Sequence, residues 1–322
     1  MANESTRLAG GLADKLGRAV RRVYVGRGEA VELLLVVLLA EGHALVEDVP
    51  GIGKTTLAKA VARGLGCSFR RLQFTADVLP SDVTGVHVFS QRSGEFELRP
   101  GPVFANVVLA DEVNRATPRT QSSLLEAMEE RQVTVDGETL PLPRPFVVLA
   151  TQNPVELEGT FPLPEAQLDR FLLRVELGYP EPADEKEIVR RFGSGDPLAE
   201  LEPVLTREEL LELQRAAREV KLHEVILDYA VSLSQATRRH PGVQLGASPR
   251  ATLSLCRAAK ALALLRGRDF VLPDDVKYLA VPVLGHRLIT TAQFRLRGQG
   301  TAEILGDILE RVPVPVETVA GG

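Results

Sequence analysis

The stretch Ala44-Leu45-Val46-Glu47-Asp48-Val49-Pro50-Gly51-Ile52-Gly53-Lys54-Thr55-Thr56 decides how this chain is read. Its apolar start reads as a short buried strand. A glycine-bearing turn follows, and residues 55–65 carry a helical pattern that stops at Gly66. A strand, a glycine turn and a helix in that order are the context of a phosphate loop. Gly51 and Gly53 let backbone N–H groups turn inward as an anion nest, and the helix N-terminus adds positive potential. Lys54 is placed to reach the β and γ phosphates, and the Thr55 hydroxyl to ligate Mg²⁺. Pro50, Ile52 and Thr56 complete the candidate nucleotide-binding stretch. One position departs from the G-x-x-x-x-G-K-[ST] pattern: Asp48 stands where the first glycine is usual. The alternative is a chance glycine turn before a helix.

Working outward, residues 11–40 read as helices, while Ser68–Phe74, Ala105–Ala110 and Phe146–Ala150 read as further strands. Apolar runs without polar alternation suit a parallel sheet covered on both faces, and strands alternating with helices give an α/β fold. Residues 117–130 form a helix, with Thr117 as a capping residue and Pro118 at its first position. Residues 132–142 read as a hairpin with a primed turn at Asp136-Gly137, and 86–98 as a second short β insertion. The composition shifts near Tyr179-Pro180-Glu181-Pro182, after which helical patterns dominate. Thr206 to Val220 opens with a capping box (Thr206, Glu209) and buries Leu210, Leu213 and Ala217. Ser248-Pro249 starts a helix running to about Arg266. The expected division is therefore an α/β domain over 1–180 and a smaller all-helical domain over 181–322, with a loose tail after Val312. No internal repeat is visible.

Val107-Val108-Leu109-Ala110-Asp111-Glu112 is an apolar strand ending in two carboxylates. Such a strand delivers Asp111 to the carboxyl edge of the sheet, where α/β proteins bind ligands. Asp111 suits Mg²⁺ held through its water shell, and Glu112 suits the orientation and deprotonation of an attacking water. Asn153, at the end of the strand through Ala150, could hydrogen-bond that water or the γ phosphate. Arg170 is a candidate for stabilising transition-state charge on a neighbouring subunit's γ phosphate; the plainer alternative is a surface pair with Asp169 or Glu165. Arg250 falls in the first turn of the helix capped by Ser248, where the dipole disfavours a cation, which hints at a nearby anion.

Composition narrows the function classes. The chain has 322 residues, enough for about two domains. With 44% hydrophobic and 25% charged residues it is neither largely disordered nor a small disulfide scaffold. Cys67 and Cys256 lie far apart, and the five histidines show no zinc-ligand spacing. A net charge of −5 argues against a bulk nucleic-acid coat. The longest apolar run, Leu33–Ala40, is far short of the about 20 residues of a membrane span. The first residues hold Glu4 and Arg7 and no apolar stretch, so no secretory leader and a cytoplasmic location are expected.

Taken together, these residues resemble the AAA+ ATPases, and within them the MoxR family. The resemblance rests on Leu109–Arg115, Thr120–Glu130, Thr151–Pro154, Phe161–Phe171 and Gly246–Ala251, and covers about residues 15 to 310. It implies an AAA+ P-loop αβα core with a parallel sheet, followed by a helical lid. It assigns Lys54 and Thr55 to Walker A, Asp111 and Glu112 to Walker B, Asn153 to sensor 1, Arg170 to the arginine finger and Arg250 to sensor 2. Val25 and Gly26 sit where the family contacts adenine, although the usual Gly-Gln is Gly26-Arg27 here. The hairpin at 132–142 resembles the insertion before sensor 1, and 86–98 the helix-2 insertion. Gln73 is a candidate polar switch touching Glu112; its other reading is an ordinary strand-end amide.

The resemblance further implies ATP and Mg²⁺ as cofactors and a ring, commonly a hexamer. ATP hydrolysis there remodels or matures partner proteins, including metal or cofactor insertion, often beside a von Willebrand factor A domain partner. Whether Arg250 acts in its own subunit or on a neighbour stays open at this point. Two further readings come from related branches: a magnesium-chelatase-like motor subunit, and a nucleic-acid-associated motor. The acidic hairpin tip, Asp136 and Glu138, is a poor tool for phosphate backbones.

Overall fold

Apolar strands flanked by helical segments form the sheet at the centre of the molecule. The computed structural model describes residues 4–47, 51–152 and 159–315. The chain opens with two helices, α1 (Glu4–Val23) and α2 (Gly28–Leu39), followed by β1 (Ala44–Glu47), α3 (Lys54–Gly64) and β2 (Phe69–Gln73). Next come α4 (Pro80–Thr84), the hairpin β3 (Gly85–Phe89) and β4 (Phe96–Pro100), β5 (Val107–Asp111) and α5 (Pro118–Glu130). The hairpin β6 (Gln132–Val135) and β7 (Glu138–Pro141) leads to β8 (Val147–Gln152), α6 (Glu165–Leu168) and β9 (Leu173–Val175). The helical part runs through α7 (Pro182–Ser194), α8 (Pro197–Glu200), α9 (Arg207–Glu219), α10 (Glu224–Arg239) and β10 (Val243–Leu245). It continues with α11 (Pro249–Leu265), α12 (Pro273–Leu284), β11 (Ile289–Thr290), α13 (Ala292–Leu296) and α14 (Thr301–Arg311).

Five strands pair in parallel in the order β2-β5-β8-β1-β9. Their side chains alternate between two cores. Ala44, Val46, Val107, Leu109, Val147 and Leu149 face the core shared with α1–α3. Leu45, Val108, Ala110, Val148 and Ala150 face the core under α4 and α5. Both faces are covered, so the central strands are apolar along their length and turn polar only at their carboxyl ends, at Glu47, Asp111, Thr151 and Gln152. β2 lies at the sheet's edge, and its Arg70 and Arg71 are exposed.

Local chemistry explains the element boundaries. Asp136 (φ 49°) and Gly137 (φ 86°) are both left-handed, as a primed two-residue turn requires. Thr206 Oγ1 accepts from the Glu209 N–H while Glu209 Oε2 accepts from the Thr206 N–H, closing the capping box. Thr117 departs from expectation: its hydroxyl lies 3.2 Å from that of Thr120 and makes no cap, so Pro118 alone marks that helix start. The helical part also holds one small antiparallel pair, β10 with β11, which apolar periodicity did not reveal. The first core is continuous through both parts, since α1 and α2 pack with α9 and α11. Of the tail, only 313–315 are described. No helix among the described residues is long and apolar enough to cross a membrane.

Candidate functional site

The carboxyl ends of β1, β5 and β8 open on one crevice, the place where parallel α/β sheets receive ligands. Gly51 through Thr56 enter it at the head of α3. Gly51 (φ 88°) and Gly53 (φ 89°) are both left-handed, and Gly53 is the residue that starts α3. A Cβ would find space at either glycine, so the backbone angle sets the requirement rather than crowding. The first bond into the helix comes from Leu57 N–H to the Gly53 carbonyl, which places the Lys54, Thr55 and Thr56 N–H groups in the helix's first turn, at its positive end. The Tyr24 ring lies against Gly53 and beside Gly26, which brings the Val25-Gly26 segment next to the loop. Pro50 and Asn153 lie outside the described residues.

Across the crevice, the two carboxylates have separate partners. Asp111, 8% exposed, accepts from Thr151 Oγ1 at 2.5 Å on one oxygen and from Arg71 Nη2 at 2.6 Å on the other. Glu112 is left-handed (φ 57°), and its N–H donates to Thr151 Oγ1 at 2.8 Å. The turn carries its carboxylate toward the Gln73 Nε2 donor at 2.8 Å and Arg115 Nε at 3.0 Å. The Gln73 contact with Glu112 is therefore present. Arg71, Arg115 and Thr151 were not singled out from sequence. The strand register was the available signal, because Gln73 pairs directly with Asp111 and Arg71 lies two residues back on the same face.

These residues fit Mg²⁺ bound with a nucleotide. The candidate donors are hard oxygens, Asp111 and Thr55, and Gln152 Oε1 at the end of β8 is buried with no hydrogen-bond partner among the described residues. Among the described residues no cluster of three or more His, Cys, Asp or Glu forms a protein-only metal cage. Mg²⁺ needs none, since it binds through one or two carboxylates plus phosphate oxygens and water.

Arg170 and Arg250 are not in this crevice. Arg170 precedes β9, at the amino edge of the sheet, and Arg250 lies in the first turn of α11. Both reach one carboxylate: Glu129 Oε2 lies 3.0 Å from Arg170 Nε, and Glu129 Oε1 lies 3.0 Å from Arg250 Nη2. Neither Asp169 nor Glu165 pairs with Arg170 in the described contacts; the anion near Arg250 within this chain is Glu129. The three line a cavity of about 1030 Å³, together with Gly42 and His43 just before β1 and Arg257 from α11. Burial draws the Arg131 and Arg257 guanidinium groups down in pKa, and Glu41 opposes it. His43 is buried there, its pKa pushed down to about 3 by desolvation. Its Nδ1 accepts from the Val148 N–H and its Nε2 bonds the Met128 carbonyl, both at 3.0 Å, which ties β1, β8 and α5 together.

Residues 43–173 match the family described as ATPase family associated with various cellular activities (AAA), and residues 235–308 match the AAA lid domain. The chain is 50% identical over 308 residues to the uncharacterized protein YeaC of Bacillus subtilis, covering 95% of this chain and 96% of that one. It is 44% identical over 305 residues to Chaperone MoxR1 of Mycobacterium tuberculosis, covering 92% and 80%. A crystal structure of a protein from Cytophaga hutchinsonii superposes with a TM-score of 0.91 at 38% identity, covering 97% of this chain and 98% of that one. A phosphate loop, an acidic pair on the next strand but one, and a helical lid in this order agree with those similarities: the chain belongs to the MoxR family of AAA+ ATPases.

Proposed function

We propose that this chain hydrolyses ATP with Mg²⁺ at a site completed between subunits of a ring, a hexamer in the family's manner, and that turnover remodels or matures partner proteins. The placement of Arg170 and Arg250 carries the proposal. The phosphate loop lies at the carboxyl edge of the sheet, and the two arginines lie at the amino edge. The four residues of β1 alone span about 13 Å between those edges. Both arginines therefore face away from their own chain's loop, available to a neighbour's γ phosphate. On this reading Arg250 acts in trans, alongside Arg170.

The division of labour follows. The Gly51–Thr56 backbone and Lys54 hold the phosphates, with Val25 and Gly26 beside the base. Asp111 and Thr55 would hold Mg²⁺, which when bound neutralises charge on the β and γ phosphates. Glu112 orients water and takes its proton, helped by Asn153, while Gln73 and Arg115 fix the Glu112 carboxylate. Arg170 and Arg250 exchange Glu129 for phosphate oxygens and stabilise the charge that spreads in the transition state. A partner with a von Willebrand factor A domain and a cytoplasmic setting belong to the same proposal. The acidic hairpin tip, with Asp136 already paired to His87 Nδ1 at 3.0 Å, favours a protein client over nucleic acid.

Arg170→Ala and Arg250→Ala should each assemble and bind ATP as the wild type does, yet lose hydrolysis by about 10³-fold or more. Wild-type turnover in either variant would remove that arginine from the site.

A further inference from the structure

Asp169 precedes the finger residue, and both of its carboxylate oxygens are taken by the helical part. Oδ1 accepts from Arg287 Nε at 2.7 Å, and Oδ2 accepts from Ser248 Oγ at 2.9 Å. Arg287 is an unusual residue in this fold, a guanidinium with its side chain only 2% exposed. It spends its remaining N–H groups on the 169–172 segment and its surroundings. Nη1 donates to the Leu172 carbonyl at 3.1 Å and to that of Val283. Nη2 donates to the carbonyls of Asp169 and Phe171 and to Ser254 Oγ. Ser248 plays two parts with one hydroxyl. It donates to Asp169 and accepts from the Ala251 N–H at 3.1 Å, which caps α11.

Arg170 is thus bracketed by Asp169, held from the lid, and by Phe171, whose ring is fully buried. Arg250 stands two residues past Ser248. The single bond between Ser248 and Asp169 fixes the backbone that carries one arginine against the backbone that carries the other. The two guanidinium groups then meet on one carboxylate, Glu129, each at 3.0 Å. Two cations that must act on one phosphoryl group need that kind of fixed spacing, because a displacement of about 1 Å costs about 100-fold in rate.

We propose that Asp169, Ser248 and Arg287 are positioning residues that set the separation and aim of the Arg170–Arg250 pair, so that the lid of one subunit governs hydrolysis in the neighbouring subunit's site. This inference rests on the shared-site reading above. It predicts a defect confined to the subunit that donates arginines, whereas a purely structural role would harm every function of the chain.

The test uses full-length chain. Ser248→Asp keeps a strong helix cap but sets a carboxylate against Asp169, Ser248→Thr keeps the hydroxyl, and Ser248→Gly removes it at little capping cost. Ser248→Thr should stay within about twofold of wild type, while Ser248→Asp should lose about 100-fold in kcat with KM for ATP within about threefold. Ser248→Gly should fall between them, and serves as the donor-defective variant should the aspartate fail to assemble. Each defective variant is then mixed with Glu112→Gln, whose own site is dead but whose arginines are intact. Mixing with Arg170→Ala runs alongside. Recovered hydrolysis in both mixtures is the expected result. Recovery with Arg170→Ala but not with the Ser248 variant overturns the positioning role. No recovery with Arg170→Ala overturns the shared-site reading and the inference with it. Wild-type kcat in Ser248→Asp overturns the inference alone.

Discussion

Asp111 and Glu112 are adjacent in sequence but are used in opposite ways because their backbones differ. Asp111 ends a strand and is nearly buried, with Thr151 and Arg71 on its two oxygens. Glu112 is left-handed and swings its carboxylate to Gln73 and Arg115. Conversion of Glu112 to Gln keeps the shape and the Thr151 bond to its backbone but removes the carboxylate proposed as the base. Glu112→Gln should therefore retain ATP binding and lose about 10²- to 10⁴-fold in hydrolysis, read by nucleotide-binding titration beside steady-state turnover. His43 offers a stability test at the same scale. It is held neutral with its pKa at about 3 against 6.5, so the unfolded state binds the extra proton between those values. Stability therefore rises with pH across that window and is lost as pH falls through it, by about 1.4 kcal/mol per pH unit from this residue. In urea titrations, His43→Gln should be less stable near neutrality but show a shallower loss on acidification. An unchanged slope would mean that His43 already carries a proton in the folded state.

Elements whose chemistry is local were legible before any coordinates. The primed turn at Asp136-Gly137, the capping box at Thr206 and the Ser248 cap each need residues only a few positions apart, and each forms as read. The left-handed glycine turn at Gly51 and Gly53 and the helix that begins at Lys54 were legible for the same reason: their residues are contiguous. What could not be read is what the chain assembles from afar. Glu129 as common partner of Arg170 and Arg250, Arg71 on Asp111, and Arg287 on Asp169 all join residues dozens of positions apart on different elements. Nothing in periodicity or composition marks Glu129, one of three glutamates near the end of α5, as the one that faces both arginines. Thr117 shows the converse, a good capping residue that turned to a neighbouring hydroxyl instead. Thr206→Ala should lower stability by about 1 kcal/mol by opening the box at the head of α9, measured by thermal melting, with ATP turnover unaffected. A loss of several times that size would mean that the box holds more than one helix end.

At the scale of the molecule, two sequence segments share one core. α1 and α2 pack with α9 and α11, and Arg287 reaches from the helical part into the entrance of β9. The proposed division near residue 180 is then a change in architecture rather than a break in packing. Thermal unfolding of the nucleotide-free chain should be a single cooperative transition; two resolved transitions would show that the parts hold independently. On the proposed reading, the same geometry separates the loop that would hold phosphate from the arginines that would stabilise it, by the width of the sheet. On that reading a lone subunit has half a site. ATPase rate per subunit across a dilution series, with particle size followed in parallel, tests this most directly. The account predicts that specific activity falls as the assembly dissociates, and that Arg170→Ala assembles normally but is inactive at every concentration. A dilute monomer as active per subunit as the assembly would contradict it, and would assign the phosphate loop to a self-contained nucleotide switch.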